Sequence, residues 1–275
     1  MARLEPWPVP EAWAPAIDEW VAAQKAAGFS PATLKTRRCQ ISHLARALGG
    51  SPETTTGREL VAYFGSRDWS RNTRKGFRDS AKRFWAWMQR TGQRDDSPVD
   101  LMERVREPTP RPRPCPDRWI VDALARADDR AALMLRLGAE CGMRRSEIAA
   151  VRGEDVTHEP SGWSITIVGK GERMRVIPIP DDLARRVAEH DGYVFPGDHD
   201  GHLCPNSVGK IMSDLLPDGW SPHTLRHRYA TRLYEETRDI YVVARLLGHA
   251  SVATTQRYVA LPDSHLRAAA EAARL

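Results

Sequence analysis

Apolar residues recur at helical spacing along most of the chain, and strand-like alternation is confined to one short stretch. In the first hundred or so residues the pattern predicts four helices. Residues 10–27 set Trp13, Ile17, Trp20 and Val21 on one face and stop at Gly28. Ser30-Pro31 reads as an N-cap followed by proline at the first helical position, opening a helix to about Leu48. Thr56-x-x-Glu59 is a capping box ahead of Leu60, Val61 and Phe64. Ser70 is placed to cap a longer helix ending near Gly92, with Phe77, Ala81, Phe84, Trp85 and Met88 as its apolar stripe. That spacing assigns Phe84, Trp85 and Trp87 to a core rather than to a stacking surface.

Residues 104–116, RVREPTPRPRPCP, break the pattern. Their five prolines remove backbone donors and bias the chain to extended conformations, as in a semi-rigid exposed linker. The sequence thus divides into residues 1–103, a Pro/Arg-rich linker 104–116, and residues 117–275. In the last part Asp117 follows Pro116 as a helix cap, and residues 131–141 are apolar enough to be buried. Residues 163–168 alternate as a strand, Gly169-Lys-Gly-Glu turns, and residues 175–179 return as its partner. Pro180-Asp-Asp starts another helix, more open near Pro205, Pro222 and Asp239, one holds Tyr258, and Asp263 caps an Ala-rich tail helix. The expected fold class is mainly α with a small β-sheet (α+β).

Composition adds a core and a charge. With 275 residues, 41% hydrophobic and 28% charged, the chain can bury one large or two ordinary cores and stay soluble. A net charge of +5 fits a polyanionic partner without requiring one. No stretch approaches the roughly 20 apolar residues of a membrane span, and MARLEPWPVPEAW lacks a signal-peptide core, so a cytoplasmic protein is expected. Cys39, Cys115, Cys141 and Cys204 form no C-x-x-C pair; free thiols rather than a zinc site are expected, with Cys141 as a small buried residue. Residues 67–94 hold nine Lys/Arg against two Asp. Arg71, Arg74, Lys75, Arg78 and Lys82 recur near helical spacing opposite the aromatic stripe, and Lys35, Arg37 and Arg38 add a second cluster. Two basic helix faces fit a DNA clamp acting mainly on phosphates, with a merely solvated face as the plain alternative.

The densest chemistry lies near the C-terminus: His223-Thr-Leu-Arg226, then Leu-Gly-His249, then Thr-Thr-Gln-Arg-Tyr258. Arginine donates to two phosphate oxygens at once and keeps its proton, histidine carries protons near neutral pH, and tyrosine is one of few covalent nucleophiles. With Arg144 and Lys170 upstream, the set describes a site for attacking a DNA phosphodiester without metal or any other cofactor. His227 lies four after His223, a zinc-binding spacing on a helix, but Thr224 stands where a glutamate is expected and no third ligand is evident. His227 is therefore expected to pack behind the site. Asp198, His199, Asp200 and His202 resemble metal ligands, yet their Gly-rich setting reads as a solvated loop.

Five strings in order resemble the boxes of the tyrosine recombinases, the family of phage integrases and Xer-type resolvases. Cys-Gly-Met-Arg144-Arg-Ser-Glu147-Ile resembles its first arginine box, and Val-Gly-Lys170-Gly-Glu-Arg-Met-Arg-Val-Ile-Pro its β-hairpin lysine. His-Thr-Leu-Arg226-His, Leu-Leu-Gly-His249 and Thr-Thr-Gln-Arg-Tyr258 resemble the rest. The resemblance covers most of the chain and implies a helical core-binding domain ahead of a catalytic domain. It also implies double-stranded DNA as partner and self-association into a synaptic tetramer, with accessory factors left open. Arg144 and Arg226 would hold the non-bridging oxygens, Arg145 facing elsewhere, and Glu147, on the same helix face, would orient Arg144. Lys170 would protonate the departing 5′ oxygen, or else only contact phosphate. His223 would assist proton transfer from Tyr258, His249 would donate to a phosphate oxygen, and Tyr258 would attack to give a 3′-phosphotyrosyl bond. The tail from Asp263 would pack in cis or dock on a neighbouring protomer. An arm-binding domain finds no room before Pro10, which keeps a Xer-type resolvase beside an integrase of a phage or mobile element. A type IB topoisomerase and a non-catalytic DNA-binding regulator are the rivals from other classes.

Overall fold

A computed structural model describes residues 8–106, 112–169, 174–249, 251–256, 258–259 and 271. The chain divides into two compact units, Met1–Thr109 and Pro110–Leu275, the division falling inside the proline-rich stretch. No helix among the described residues is long and apolar enough to cross a membrane.

The first unit is built from α1 (Ala14–Ala26), α2 (Pro31–Leu48), α3 (Gly57–Gly65), α4 (Arg71–Arg90) and a short 3₁₀ turn at Pro98–Leu101. Trp13, Ile17, Trp20, Ile41, Leu44, Leu60, Phe64, Phe84, Trp85 and Met88 fill its core. Two of the core tryptophans have their indole donors occupied: Trp13 Nε1 donates to the Gly49 carbonyl at 3.0 Å and Trp85 Nε1 to that of Pro52 at 3.1 Å. Phe84, Trp85 and Trp87 are buried, as the spacing predicts. The Thr56–Glu59 capping box is complete, and the Ser70 hydroxyl accepts from Thr73 N–H. Two expected details differ. α1 opens only at Ala14, because residues 11–13 form a turn that sets Trp13 into the core. Ser30 sits at the N-cap of α2, but its hydroxyl meets the Thr33 hydroxyl at 2.9 Å instead of a backbone N–H.

Part of the basic face expected to meet phosphates serves the fold. Arg74 donates to the carbonyls of Phe64 and Arg67, the latter at 2.7 Å, and so closes the end of α3. Arg78 Nη2 donates to the Met102 carbonyl at 2.9 Å and fastens the chain after the 3₁₀ turn. Both side chains were free to read as ligand-facing because a sequence does not reveal which carbonyls end up without partners. Arg37 donates to Gln24 and lies over the Phe29 ring, and Arg38 pairs with Asp18 at 2.5 Å. Lys35, Arg71 and Lys82 are exposed, and Lys75 is half-buried.

The second unit packs helices around one three-stranded antiparallel sheet. α5 (Asp117–Arg126), α6 (Asp129–Glu140) and α7 (Arg145–Ala149) precede β1 (Val156–Glu159), β2 (Gly162–Val168) and β3 (Met174–Pro178), which pair in that order. Then come α8 (Asp181–Ala188), β4 (Pro196–His199), α9 (Pro205–Leu215), α10 (Pro222–Thr237), α11 (Ile240–Leu247) and α12 (Val252–Gln256). The register sets Ile165 opposite both Val156 and Ile177, so the inward face of the sheet continues the core formed with α6 and α8. β1 escapes the sequence pattern because only Val156 of its four residues is buried.

α6 is as buried as expected, and Cys141 at its end is fully buried with its thiol pushed up to about 12. Asp117 does not cap α5. It occupies the first turn, and its carboxylate binds Arg228 Nε at 2.8 Å and Arg232 Nη2 at 2.6 Å, tying α5 to α10. Tyr258 lies beyond the end of α12 rather than within a helix, with its N–H on the Thr255 carbonyl at 2.8 Å. The tail from Asp263 falls outside the described residues apart from Glu271. The second half of the linker lies against α10: Cys115 N–H donates to the Thr224 carbonyl at 3.1 Å, and the Arg113 guanidinium covers the Trp220 ring at 4.4 Å.

Arg74→Ala and Arg78→Ala are each expected to cost about 1.5–3 kcal/mol, the scale of a hydrogen bond from a charged donor. Lys82→Ala should leave stability within about 0.5 kcal/mol. Urea unfolding of the full chain followed by tryptophan fluorescence checks this, and equal effects at all three positions would remove the assigned roles.

Candidate active site

The site grows from a buried carboxylate. Arg144 ends an extended segment just before α7, and Glu147, one turn into that helix, points back to accept the Arg144 backbone N–H at 2.8 Å and its Nη1 at 2.7 Å. Arg175 on β3 meets both oxygens of the same carboxylate, at 2.9 and 2.7 Å. Arg226 Nη1 approaches it at 3.8 Å. Burial alone would raise this carboxyl, but the hydrogen bonds and charge of Arg175, the Arg144 N–H and the charge of Arg226 hold it down at about 2. Glu147 thus orients Arg144, and its strongest partner is Arg175, which box matching passed over. The available signal was strand alternation: Arg175 shares a face with Ile177, and a charge on an inward strand position needs a buried partner.

Arg226 is 1% exposed and forms part of the site's wall. Its terminal nitrogens donate to the carbonyls of Gly142 and Leu247, and Nη2 also faces His249 Nε2 at 3.3 Å. In this structure those donors are therefore turned to backbone carbonyls. Its Nε is buried without a hydrogen-bond partner among the described residues. Burial first, and then Arg144, lower its pKa to about 9, which leaves it charged at neutral pH. Gly142 provides the carbonyl from a left-handed backbone with φ of 60°, where a Cβ would collide with the Tyr229 ring.

Tyr258 is half-buried among aromatic rings. His227 stacks on it at 4.5 Å, His223 meets it edge-on at 5.2 Å, and His249 lies tilted at 4.9 Å. The Arg226 guanidinium is 5.9 Å from the ring centre. Burial, then Arg226 and Arg144, lower the pKa of His249 to about 4, so the ring is neutral. Arg226 only donates, so His249 Nε2 accepts, and the proton sits on Nδ1 and goes to Thr255 Oγ1 at 2.9 Å. His227 is also lowered to about 4, by burial, then His223 and Arg226, and its Nδ1 accepts the Arg113 N–H at 3.3 Å. It packs behind the site, as its spacing with Thr224 suggested. His223 is exposed, and its pKa is lowered by partial desolvation and by Arg226 and Arg144.

Arg144, Glu147, His223, Arg226, His249 and Tyr258 therefore converge. Lys170 lies outside the described residues. A cavity of about 510 Å³ opens beside the cluster, walled by Arg144, Arg145, His223, Arg226, Asn206 and Lys210. Arg145 is exposed against Gly209 of α9 rather than on Glu147, and so faces elsewhere, as expected. No group of three potential metal ligands occurs among the described residues; the stretch expected as a loop opens with β4, in which Asp198 and His199 are exposed, as is Asp200 after it, and His202 Nδ1 is bonded to the Leu203 carbonyl at 2.8 Å.

The folded protein holds His227 and His249 below the usual 6.5, so stability present above about pH 6.5 is lost as pH falls towards 4. Glu147, held below its usual 4.5, contributes stability that is lost between about pH 4.5 and 2. Glu147→Gln is expected to remove the second component and to cost about 3–5 kcal/mol at neutral pH, because three arginines lose their shared anion. Denaturant titrations from pH 7 to 3 test both, and an unchanged acid limb in the variant would refute the Glu147 assignment.

Residues 118–265 match the phage integrase family. The chain is 32% identical to the tyrosine recombinase XerC of Chromohalobacter salexigens over 86% of its own length and 88% of that protein. It is 37% identical to XerC of a Methylobacterium species over 54% of its own length, and the match spans half (50%) of that protein. Its fold resembles that of a lambda integrase tetramer bound to a Holliday junction, with a TM-score of 0.73 and 15% identity over 90% of this chain and 77% of that one. By sequence over most of its length, and by fold, the chain belongs to the phage integrase family of tyrosine recombinases.

Proposed function

We propose that this protein cuts and rejoins double-stranded DNA at specific core sites through a 3′-phosphotyrosyl intermediate, integrating and excising a phage or mobile element. The observation that carries the proposal is the packing of Tyr258 against His223, His249 and Arg226 beside an arginine-walled cavity. The phenol oxygen attacks the scissile phosphorus while His223 takes its proton. The bond from phosphorus to the 5′ oxygen breaks, and Lys170 supplies that oxygen with a proton, leaving a free 5′ hydroxyl. Arg144 carries the charge that grows on the non-bridging oxygens. Arg226 joins it by exchanging a carbonyl partner for the phosphate. His249 contributes as a neutral donor once Arg226 turns from its Nε2. The phosphotyrosyl ester conserves the bond energy, so a second strand's 5′ hydroxyl reverses the step without ATP.

In the first unit, Lys35, Arg71, Lys75 and Lys82 remain proposed phosphate contacts, with Arg37 and Arg38 near them. A cavity of about 450 Å³ lined by Arg37, Lys82, Arg83 and Arg90 lies on this basic surface and supports the same reading. Lambda integrase is a tetramer on its junction, and a synaptic tetramer is proposed here. The protein acts in the bacterial cytoplasm, at the nucleoid. XerC relatives matched over nearly their full length favour a second reading, resolution of chromosome or plasmid dimers. Deleting the gene separates the two: failed excision of a neighbouring element supports the first, accumulation of unresolved dimers the second.

Tyr258→Phe is expected to abolish covalent trapping on a nicked half-site while DNA affinity stays within about twofold, since one hydroxyl leaves the charged contacts in place. A retained adduct would sink the nucleophile assignment. Cleavage by the wild type should persist in EDTA, because arginines and a lysine supply the charge stabilisation that metal ions provide elsewhere; activity lost in chelator and restored by magnesium would overturn this mechanism.

A further inference from the structure

We infer that Arg175 is a positioning residue for the leaving-group step, fastening the β2–β3 hairpin that carries Lys170 to the carboxylate that orders the arginines. The inference rests on the reading above in which Lys170 protonates the 5′ oxygen.

Every nitrogen of this guanidinium is engaged. Nη1 and Nη2 take the two oxygens of Glu147, and Nε donates to the Leu246 carbonyl at 3.1 Å near the end of α11. The pair is buried, with side-chain exposures of 8% and 2%. A planar fork of this kind fixes orientation as well as distance, which a lysine at the same position would not do. The third attachment is steric. Gly248 turns the chain at φ of 64°, and a Cβ there would lie 2.8 Å from Arg175 Cδ, so the corner leading to His249 closes directly on the arginine stem.

Position along the strand gives these contacts their meaning. Arg175 pairs with Ile167, one register step from the Val168–Met174 pair that leads into the turn containing Lys170. One side chain thus links three segments that contribute different groups to the reaction: the Arg144 turn through Glu147, the His249 corner through Leu246 and Gly248, and the lysine hairpin through its own backbone. Releasing the hairpin base lets the lysine wander, and misplacement by about 1 Å can cost on the order of 100-fold in rate.

The test uses Arg175→Lys and Arg175→Met in the full chain, with two suicide DNA substrates. One carries the normal bridging 5′ oxygen, the other sulfur at that atom. A thiolate leaves without a proton, since thiols ionise near pH ~8.5, so the sulfur substrate bypasses the general acid. Both variants are expected to cleave the oxygen substrate about 10- to 100-fold more slowly than the wild type and to recover most but not all of that loss on the sulfur substrate, because Arg175 also braces Glu147 beneath Arg144. The oxygen-to-sulfur rate ratio within one preparation is independent of the active fraction, so partial unfolding does not imitate the result. Lys170→Met serves as the reference. If sulfur fails to rescue Lys170→Met, the general-acid reading of Lys170 falls. If sulfur rescues Lys170→Met but both Arg175 variants lose equally on the two substrates, Arg175 is structural and the present inference is overturned.

Discussion

A single buried carboxylate organises the catalytic unit. Glu147 is shared by Arg144, Arg175 and Arg226, cations that would repel one another without it. Removing one carboxylate and several guanidinium groups from water is expensive, and only dense hydrogen bonding makes such a cluster tolerable. Here the bonding is dense: both oxygens of Glu147 are doubly used, and both terminal nitrogens of Arg226 donate to carbonyls. The positive charge that the chemistry needs is therefore assembled around a fixed anion before any substrate phosphate arrives.

Burial first, and then the same concentration of cations, explain the lowered histidine pKa values. His223, His227 and His249 are all shifted towards the unprotonated form, first by desolvation and then by neighbouring positive charge, led by Arg226 at His223 and His249 and by His223 at His227. An unprotonated His223 beside the phenol can take a proton. A neutral His249 can switch which nitrogen carries its proton without the cost of a new charge in a crowded site. Electrostatics thus set the acid–base roles, and the aromatic packing around Tyr258 sets their geometry.

Much of this was legible in the sequence. The boxes point to residues that meet in space, namely Arg144, Glu147, His223, Arg226, His249 and Tyr258, while Lys170 from the hairpin box lies outside the described residues. The capping box at Thr56, the buried stripe of α4 and the pairing of β2 with β3 also follow from local rules. What stayed hidden depends on partners distant in the chain. Arg74 and Arg78 read as ligand-facing until the carbonyls of Phe64, Arg67 and Met102 are in view. Asp117 reads as a cap until Arg228 and Arg232 arrive from α10. Arg226 reads as a phosphate clamp, although its terminal donors end here on the Gly142 and Leu247 carbonyls. Arg175 was hinted at by alternation, but nothing local ties it to Glu147, twenty-eight positions away.

The backbone of Arg113 reaches His227, whose ring supports Tyr258, while its guanidinium caps Trp220 and Cys115 holds the Thr224 carbonyl. A fragment cut at Asp117 would keep every reactive side chain but strip these braces from the back of the nucleophile's mount. Modular exchange of such chains between DNA targets should therefore move residues 112–116 together with the chemistry, because the stretch that looks like a spacer belongs mechanically to the catalytic half.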